Sequence, residues 1–219
     1  MIIDLPSKFQ MKSEDHKYAF SEVRDGILHL YGNISFRRVI YNITYILKGE
    51  SSCYYCGRRI RPKNMTLDHM YSVDMGGPTI PNNLIPCCSK CNEEKSNMSI
   101  DSYRVYMGLR ANQRQTFRKL VIKEQELIRK SGCYEIPEDW IELSPIDKFI
   151  VQVDMLQKCK TRKYRQMKAY HKKYNMLKTP VIVDKNNFVL DGYMSLMFAK
   201  SQGIKSVPVI KLENVWYHI

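Results

Sequence analysis

The sequence predicts an α+β protein: a small cysteine-clamped core with helical flanks, followed by a small mixed α/β segment. Three observations lead to that reading. Two CxxC pairs, Cys53-Tyr-Tyr-Cys56 and Cys88-Ser-Lys-Cys91, bracket 31 residues, a separation suited to four thiolates around one structural zinc ion. Apolar residues at helical spacing lie on both sides of this stretch. Beyond residue 146, short β-branched runs alternate with turn residues and helical patterns. The chain therefore divides into an N-terminal helical region (1–50), the clamped core (51–100), a helical extension and linker (101–146) and a mixed α/β domain with a basic helix (147–219).

Each element follows from local signals. Pro6 breaks the N-terminal region, a short helix is expected over residues 15–24, and Asp25-Gly26 reads as a turn. From Asn33 or Ser35, both capable caps, an amphipathic helix runs to about Lys48 with Phe36, Ile40, Ile43 and Leu47 on one face, expected to pack over the core. Within the core, Met65 to His69 reads as a strand ending in Asp68-His69, Gly76-Gly77-Pro78 as a loop, and residues 89–96 as a short helix carrying Asn92 and Lys95. Residues 99–130 are helix-rich with Gly108 as a divider, and residues 136–145 read as a loop. Then come a strand over 149–153, a basic helix over 161–174, a hairpin of strands 181–184 and 188–190 about Lys185-Asn186-Asn187, a helix over 191–201 stopped by Gly203, and a last strand over 207–210.

A formal charge of +13 and a pI of about 9.4 make a polyanion the expected partner, because Lys and Arg gain affinity by releasing counterions from phosphates. With 44 % hydrophobic residues over 219 positions the chain has material for real cores. Seven cysteines leave Cys87, Cys133 and Cys159 outside the paired knuckles, a pattern of zinc and a reducing compartment. Cys87 competes formally with Cys88 for a ligand place, but Cys88 and Cys91 have the knuckle spacing. No basic leader with an apolar core and no run near ~20 apolar residues is present, so a cytoplasmic protein with no membrane partner is expected.

The order knuckle, Asp68-His69, Gly76-Gly77, Asn83-Leu84, Cys88-x-x-Cys91-Asn92, Lys95 resembles the HNH endonucleases of the ββα-metal, zinc-knuckle type. That resemblance implies a metal-dependent hydrolase cutting phosphodiester bonds in DNA, with RNA not excluded. His69 would be the general base that takes a proton from water, an imidazole being largely unprotonated near neutrality. Asp68 and Asn92 would hold a divalent cation, Mg²⁺ or Mn²⁺, since carboxylate and amide oxygens suit hard ions. Asn83 would hold the loop that orients His69. Lys95 either contacts phosphate or is simply solvated. The competing reading is a non-catalytic zinc-ribbon protein that binds nucleic acid, with Asp68 and His69 structural.

Pro180 to Asp184, Leu190-Asp191-Gly192 and Gly203-Ile204 through Val207 to Ile210 are similar to the ParB/sulfiredoxin-like fold. Where that family places an Arg beyond the glycine, this chain has Tyr193-Met194-Ser195, so the fold is expected to carry over and nucleotide hydrolysis is not. Nine Lys or Arg and no acidic residue lie between Met155 and Lys178. Arg162, Lys163, Arg165, Lys168, Lys172 and Lys173 are expected to meet phosphate from the basic helix, and Arg58, Arg59 and Arg61, beside Lys63, to form a second anchor. No residue identifies a base sequence or an oligomeric state.

Overall fold

The structure, a computed structural model, describes residues 10–12, 20–32, 35–48, 51–152 and 161–218. In chain order it contains β1 (Gln10–Lys12), β2 (Phe20–Arg24), β3 (Ile27–Tyr31), α1 (Phe36–Lys48), β4 (Ser51–Ser52), β5 (Arg59–Ile60), β6 (Met65–His69) and β7 (Leu84–Cys88). There follow α2 (Ser89–Lys95), α3 (Ile100–Gly108), α4 (Ala111–Lys130), β8 (Glu142–Pro145), α5 (Thr161–Tyr174), β9 (Val181–Asp184), β10 (Val189–Asp191), α6 (Tyr193–Ser201), β11 (Ser206–Leu212) and β12 (Val215–His218). The fold is mixed α+β. The strands form two four-stranded sheets, ordered β1-β2-β3-β12 and β10-β9-β11-β8, and two ribbons, β4-β5 and β6-β7.

Three expectations are corrected here. Phe20–Arg24 is a strand, not part of a helix, and residues 15–19 lie outside the described set. Val23, Leu28 and Leu30 are buried while their neighbours are not, which is the alternation of a sheet with one face on a core. Asp25 and Gly26 both have positive φ, +50° and +74°, the geometry of a two-residue hairpin turn. Residues 142–145, expected as loop, form the edge strand β8 against β11; only Ser144 of the four is buried, so no apolar alternation marks it. Conversely, the strand expected at 149–153 reduces to a single bridge between Ile150 and Phe188, and Val153 lies outside the described residues.

The N-terminal and C-terminal segments also share one core, against the division into an N-terminal helical region and a separate C-terminal domain. β12 pairs in parallel with β3. One apolar cluster joins Leu28, Leu30, Val39, Ile40 and Ile43 to Ile80 and Leu84 of the central ribbon and to Ile182, Leu190 and Ile210 of the second sheet. Burying each such side chain stabilises the fold by about 1.5–3 kcal/mol. Helix α1 thus packs against β7 and the turn before it, within the core it shares with the first sheet.

Candidate nuclease centre

The centre is built from the first knuckle, the β6-β7 ribbon and α2. Cys53 and Cys56 come from a tight turn closed by Gly57 N–H donating to the Cys53 carbonyl at 2.9 Å. Cys88 ends β7 and Cys91 sits in the first turn of α2. The four Sγ atoms lie within 4.8 Å of one another, with Cys56 and Cys88 at 4.0 Å. A tetrahedral zinc ion with Zn–S of about 2.3 Å needs sulfurs about 3.8 Å apart, so the cluster fits structural zinc. Burial pushes the Cys53 thiol up, but backbone N–H groups of Cys56, Cys88 and Tyr55 aimed at its sulfur bring it down to about 7, which favours the thiolate a metal requires. Cys87 is fully buried and faces Thr66, its sulfur 3.3 Å from the Thr66 hydroxyl; it stands outside the cluster.

Successive residues of a strand point to opposite faces, and β6 ends on two such residues. Asp68 faces α2. Its carboxylate receives Lys95 Nζ at 3.0 Å and 3.2 Å and the Tyr55 hydroxyl at 2.5 Å. Lys95 also donates to the His69 carbonyl at 2.7 Å. Asp68 is 5 % exposed and Lys95 0 %. Burial pushes the Asp68 carboxyl up against the lowering pull of Lys95 and Tyr55. This geometry corrects one expectation. Lys95 neither meets phosphate nor is solvated: it is an interior ion-pair partner. Both Asp68 oxygens are engaged, one by Lys95 and the other by Lys95 and Tyr55, so a divalent cation held by Asp68 and Asn92 would have to displace these contacts. A +2 and a +1 charge about 4 Å apart repel by about 8 kcal/mol even at an effective dielectric of about 20, so Lys95 would have to leave first.

His69 faces the other way. Its Nε2 lies 3.1 Å from the Thr79 hydroxyl and its ring meets Tyr41 of α1 edge-on, centroids 6.1 Å apart. Burial, with the charges of Lys95 and Arg37, brings the imidazole down to about 4, so it is neutral at physiological pH.

The loop between the strands is held tightly. Asn83, fully buried, accepts from Tyr71 N–H at 2.9 Å and donates to the carbonyls of Tyr71 and Pro78 at 3.0 Å and 2.8 Å. Gly77 packs so closely that a Cβ there would lie 1.8 Å from the Tyr71 carbonyl oxygen, and Gly76 adopts φ +93°, a conformation that glycine accepts without penalty. Together they deliver Thr79 to His69.

Among the other expected residues, Asn92 is half-buried in α2, its carbonyl accepting from Ser96 N–H at 3.0 Å. Arg58, Arg59 and Arg61 are exposed beside the first knuckle, and Arg162, Lys163, Arg165, Lys168, Lys172 and Lys173 are exposed along α5. Lys173 pairs with Glu126 at 3.1 Å. Three residues escaped the sequence reading. Tyr55, a polar-tipped aromatic between two ligands, is a candidate for a buried hydrogen bond; Thr79 carries no pattern; and Arg37 carries none either, since its partner Asp191 is distant in sequence.

Together the knuckles, β6, β7 and α2 form a cysteine-clamped ribbon-and-helix unit with a half-buried histidine at the end of one strand. Residues 53–98 match the family model described as HNH endonuclease, and that segment is an HNH endonuclease domain. A 38-residue stretch, 17 % of this chain, is 58 % identical to an uncharacterized protein of Acidianus two-tailed virus, covering 11 % of that relative's length. The chain is also similar to two solved structures of a pNOB8-like ParB N-domain, at 22 % and 21 % identity. These matches cover 32 % of this chain and 28 % and 26 % of the matched chains, with TM-scores of 0.29 and 0.28. Among the described residues no helix is long and apolar enough to cross a membrane.

Proposed function

We propose that the protein hydrolyses phosphodiester bonds in nucleic acid, DNA first, with His69 taking the proton from the attacking water. The observation that carries this reading is the neutral, half-buried imidazole of His69, set by Thr79 at 3.1 Å within the HNH domain. A base must be within hydrogen-bond reach of its proton and unprotonated at working pH; His69 meets the second condition and its exposure leaves an edge for the first. Zinc in the four-cysteine cluster would fix the end of β7 and the start of α2. Asn83 holds the loop behind Thr79. The cations of α5 and Arg58, Arg59 and Arg61 would bind phosphate without regard to sequence.

Asp68 and Asn92 would hold Mg²⁺ or Mn²⁺ only once Lys95 gives up the carboxylate. The same closed carboxylate favours a second reading, a zinc-ribbon protein that binds nucleic acid without cutting it. A screen of supercoiled, linear and single-stranded DNA and of RNA, with each divalent metal, separates the two. Cutting by wild type and none by His69→Ala, each with one zinc per chain, supports the nuclease; salt-sensitive binding with no cutting under any metal supports the alternative.

A further inference from the structure

Between α1, α5 and the start of α6 lies an open cleft of about 420 Å³. Its lining includes Arg37, Lys163 and Lys178 against one carboxylate, Asp191, over an apolar floor that includes Met167 and Leu190. Arg37 pairs with Asp191 at 2.5 Å yet keeps 47 % of its side chain exposed, and Lys178 pairs with Asp74 at 3.1 Å with 38 % exposed. A crevice of about 10 Å³, room for no more than one water, borders the cleft at Arg37, Thr179, Asp191 and Gly192 and is closed off by Gly76, Gly77, Pro78 and the buried Thr79. Thr79 is the residue that holds His69. The charge of Arg37 is felt at His69 as well.

We propose that this cleft is the track of the substrate strand: one sugar-phosphate backbone lies between α1 and α5, held by Arg37, Lys163 and Lys178. Three features point to that occupant. The rim is cationic where the occupant would be anionic. The cleft's far wall is α5, the most densely basic of the described helices, so Lys163 continues its exposed cations outward from the cleft. And the Arg37 side of the cleft adjoins the buried loop that carries Thr79. The track joins the HNH domain to the C-terminal segment, whose Asp191 and Gly192 form one wall; the two parts of the chain would then grip a single ligand. This inference rests on the nuclease reading for calling the strand a substrate, but the contact itself is testable without cutting.

The test measures binding of fluorescein-labelled duplex and single-stranded DNA by anisotropy as a function of salt, without added divalent metal. Lys163→Gln with Lys178→Gln is compared with Lys119→Gln with Lys123→Gln, two exposed lysines of α4. Each lost phosphate contact lowers the salt slope by about 0.9 on duplex and about 0.7 on a single strand. The cleft pair is therefore expected to lose about 1.8 or about 1.4 of slope and roughly tenfold in affinity, while the α4 pair keeps the wild-type line. Identical lines for both pairs would overturn the track. So would saturable binding of a free mononucleotide that depends on Lys163 and Lys178 while strand binding does not. Cleavage assayed on the same samples separates the two claims: strand binding that follows the cleft pair, with no cutting by wild type, upholds the track and refutes the nuclease.

Discussion

Replacing Lys95 by methionine is the perturbation whose cost the structure specifies best. Methionine nearly fills the stem's volume, so the cavity contribution is small and the loss is electrostatic. Lys95 is fully buried, holds both Asp68 oxygens at 3.0 Å and 3.2 Å and donates to the His69 carbonyl at 2.7 Å. Removing one member of a buried pair typically costs about 3–5 kcal/mol, because the other charge stays behind unpaired; the stranded carbonyl adds about 1 kcal/mol or more. Tyr55 still donates to Asp68 at 2.5 Å and offsets part of this. A net loss of about 4 kcal/mol is expected in urea unfolding at saturating zinc, or a Tm lower by about 8–16 °C for a chain of this size. Adding Asp68→Asn to Lys95→Met removes the orphaned charge, so the double variant should regain about 1–3 kcal/mol over Lys95→Met alone. A loss below about 1 kcal/mol, the scale of a solvated surface pair, or strict additivity in the cycle, would refute the interior pairing.

Other outcomes follow from the same geometry. Cys91→Ser should abolish the one-zinc stoichiometry and unfold residues 53–98, since such sites supply about 10–16 kcal/mol in small zinc peptides, whereas Cys87→Ala should retain one zinc per chain by metal analysis because Cys87 lies outside the cluster. The His69 imidazole stands at about 4 against 6.5 unperturbed, so the unfolded chain binds the extra proton in between: stability supplied by the neutral ring is whole above pH 6.5 and is lost as pH falls through about 4. Its size is about 3 kcal/mol, read as the difference between the wild-type and His69→Gln stability profiles; parallel profiles would contradict the buried placement. Gly77→Ala must displace the Tyr71 carbonyl, which a Cβ would approach to 1.8 Å; a destabilisation of about 1–3 kcal/mol with reduced cutting is expected, seen by denaturant titration and a cleavage assay.

Much of the centre was legible because it is local. The two knuckles, the strand ending in Asp68-His69, the glycine loop and α2 lie within 43 residues of sequence, from 53 to 95, and their spacings are dictated by a tetrahedron and a turn. Helices α1, α3, α4 and α5 were legible from apolar spacing and stops. What escaped is what depends on distant partners. β12 is a strand because β3, far away in the chain, offers it an edge; β8 is a strand because β11 does. Lys95 reads as a surface cation until Asp68 and Tyr55 are seen closing around it. Arg37 gains meaning only from Asp191, 154 residues on. Asp25-Gly26 was read as a turn, yet only the pairing of Val23 with Leu28 shows that two strands, not a helix, lead into and out of it.

The most direct test of the central claim is single-turnover cleavage at saturating DNA by wild type and His69→Ala, each verified to hold one zinc per chain. Loss of general-base catalysis should slow the variant by about 10²–10⁴-fold while its DNA affinity stays at the wild-type value. Equal rates in the two proteins would contradict the assignment of His69 as the base.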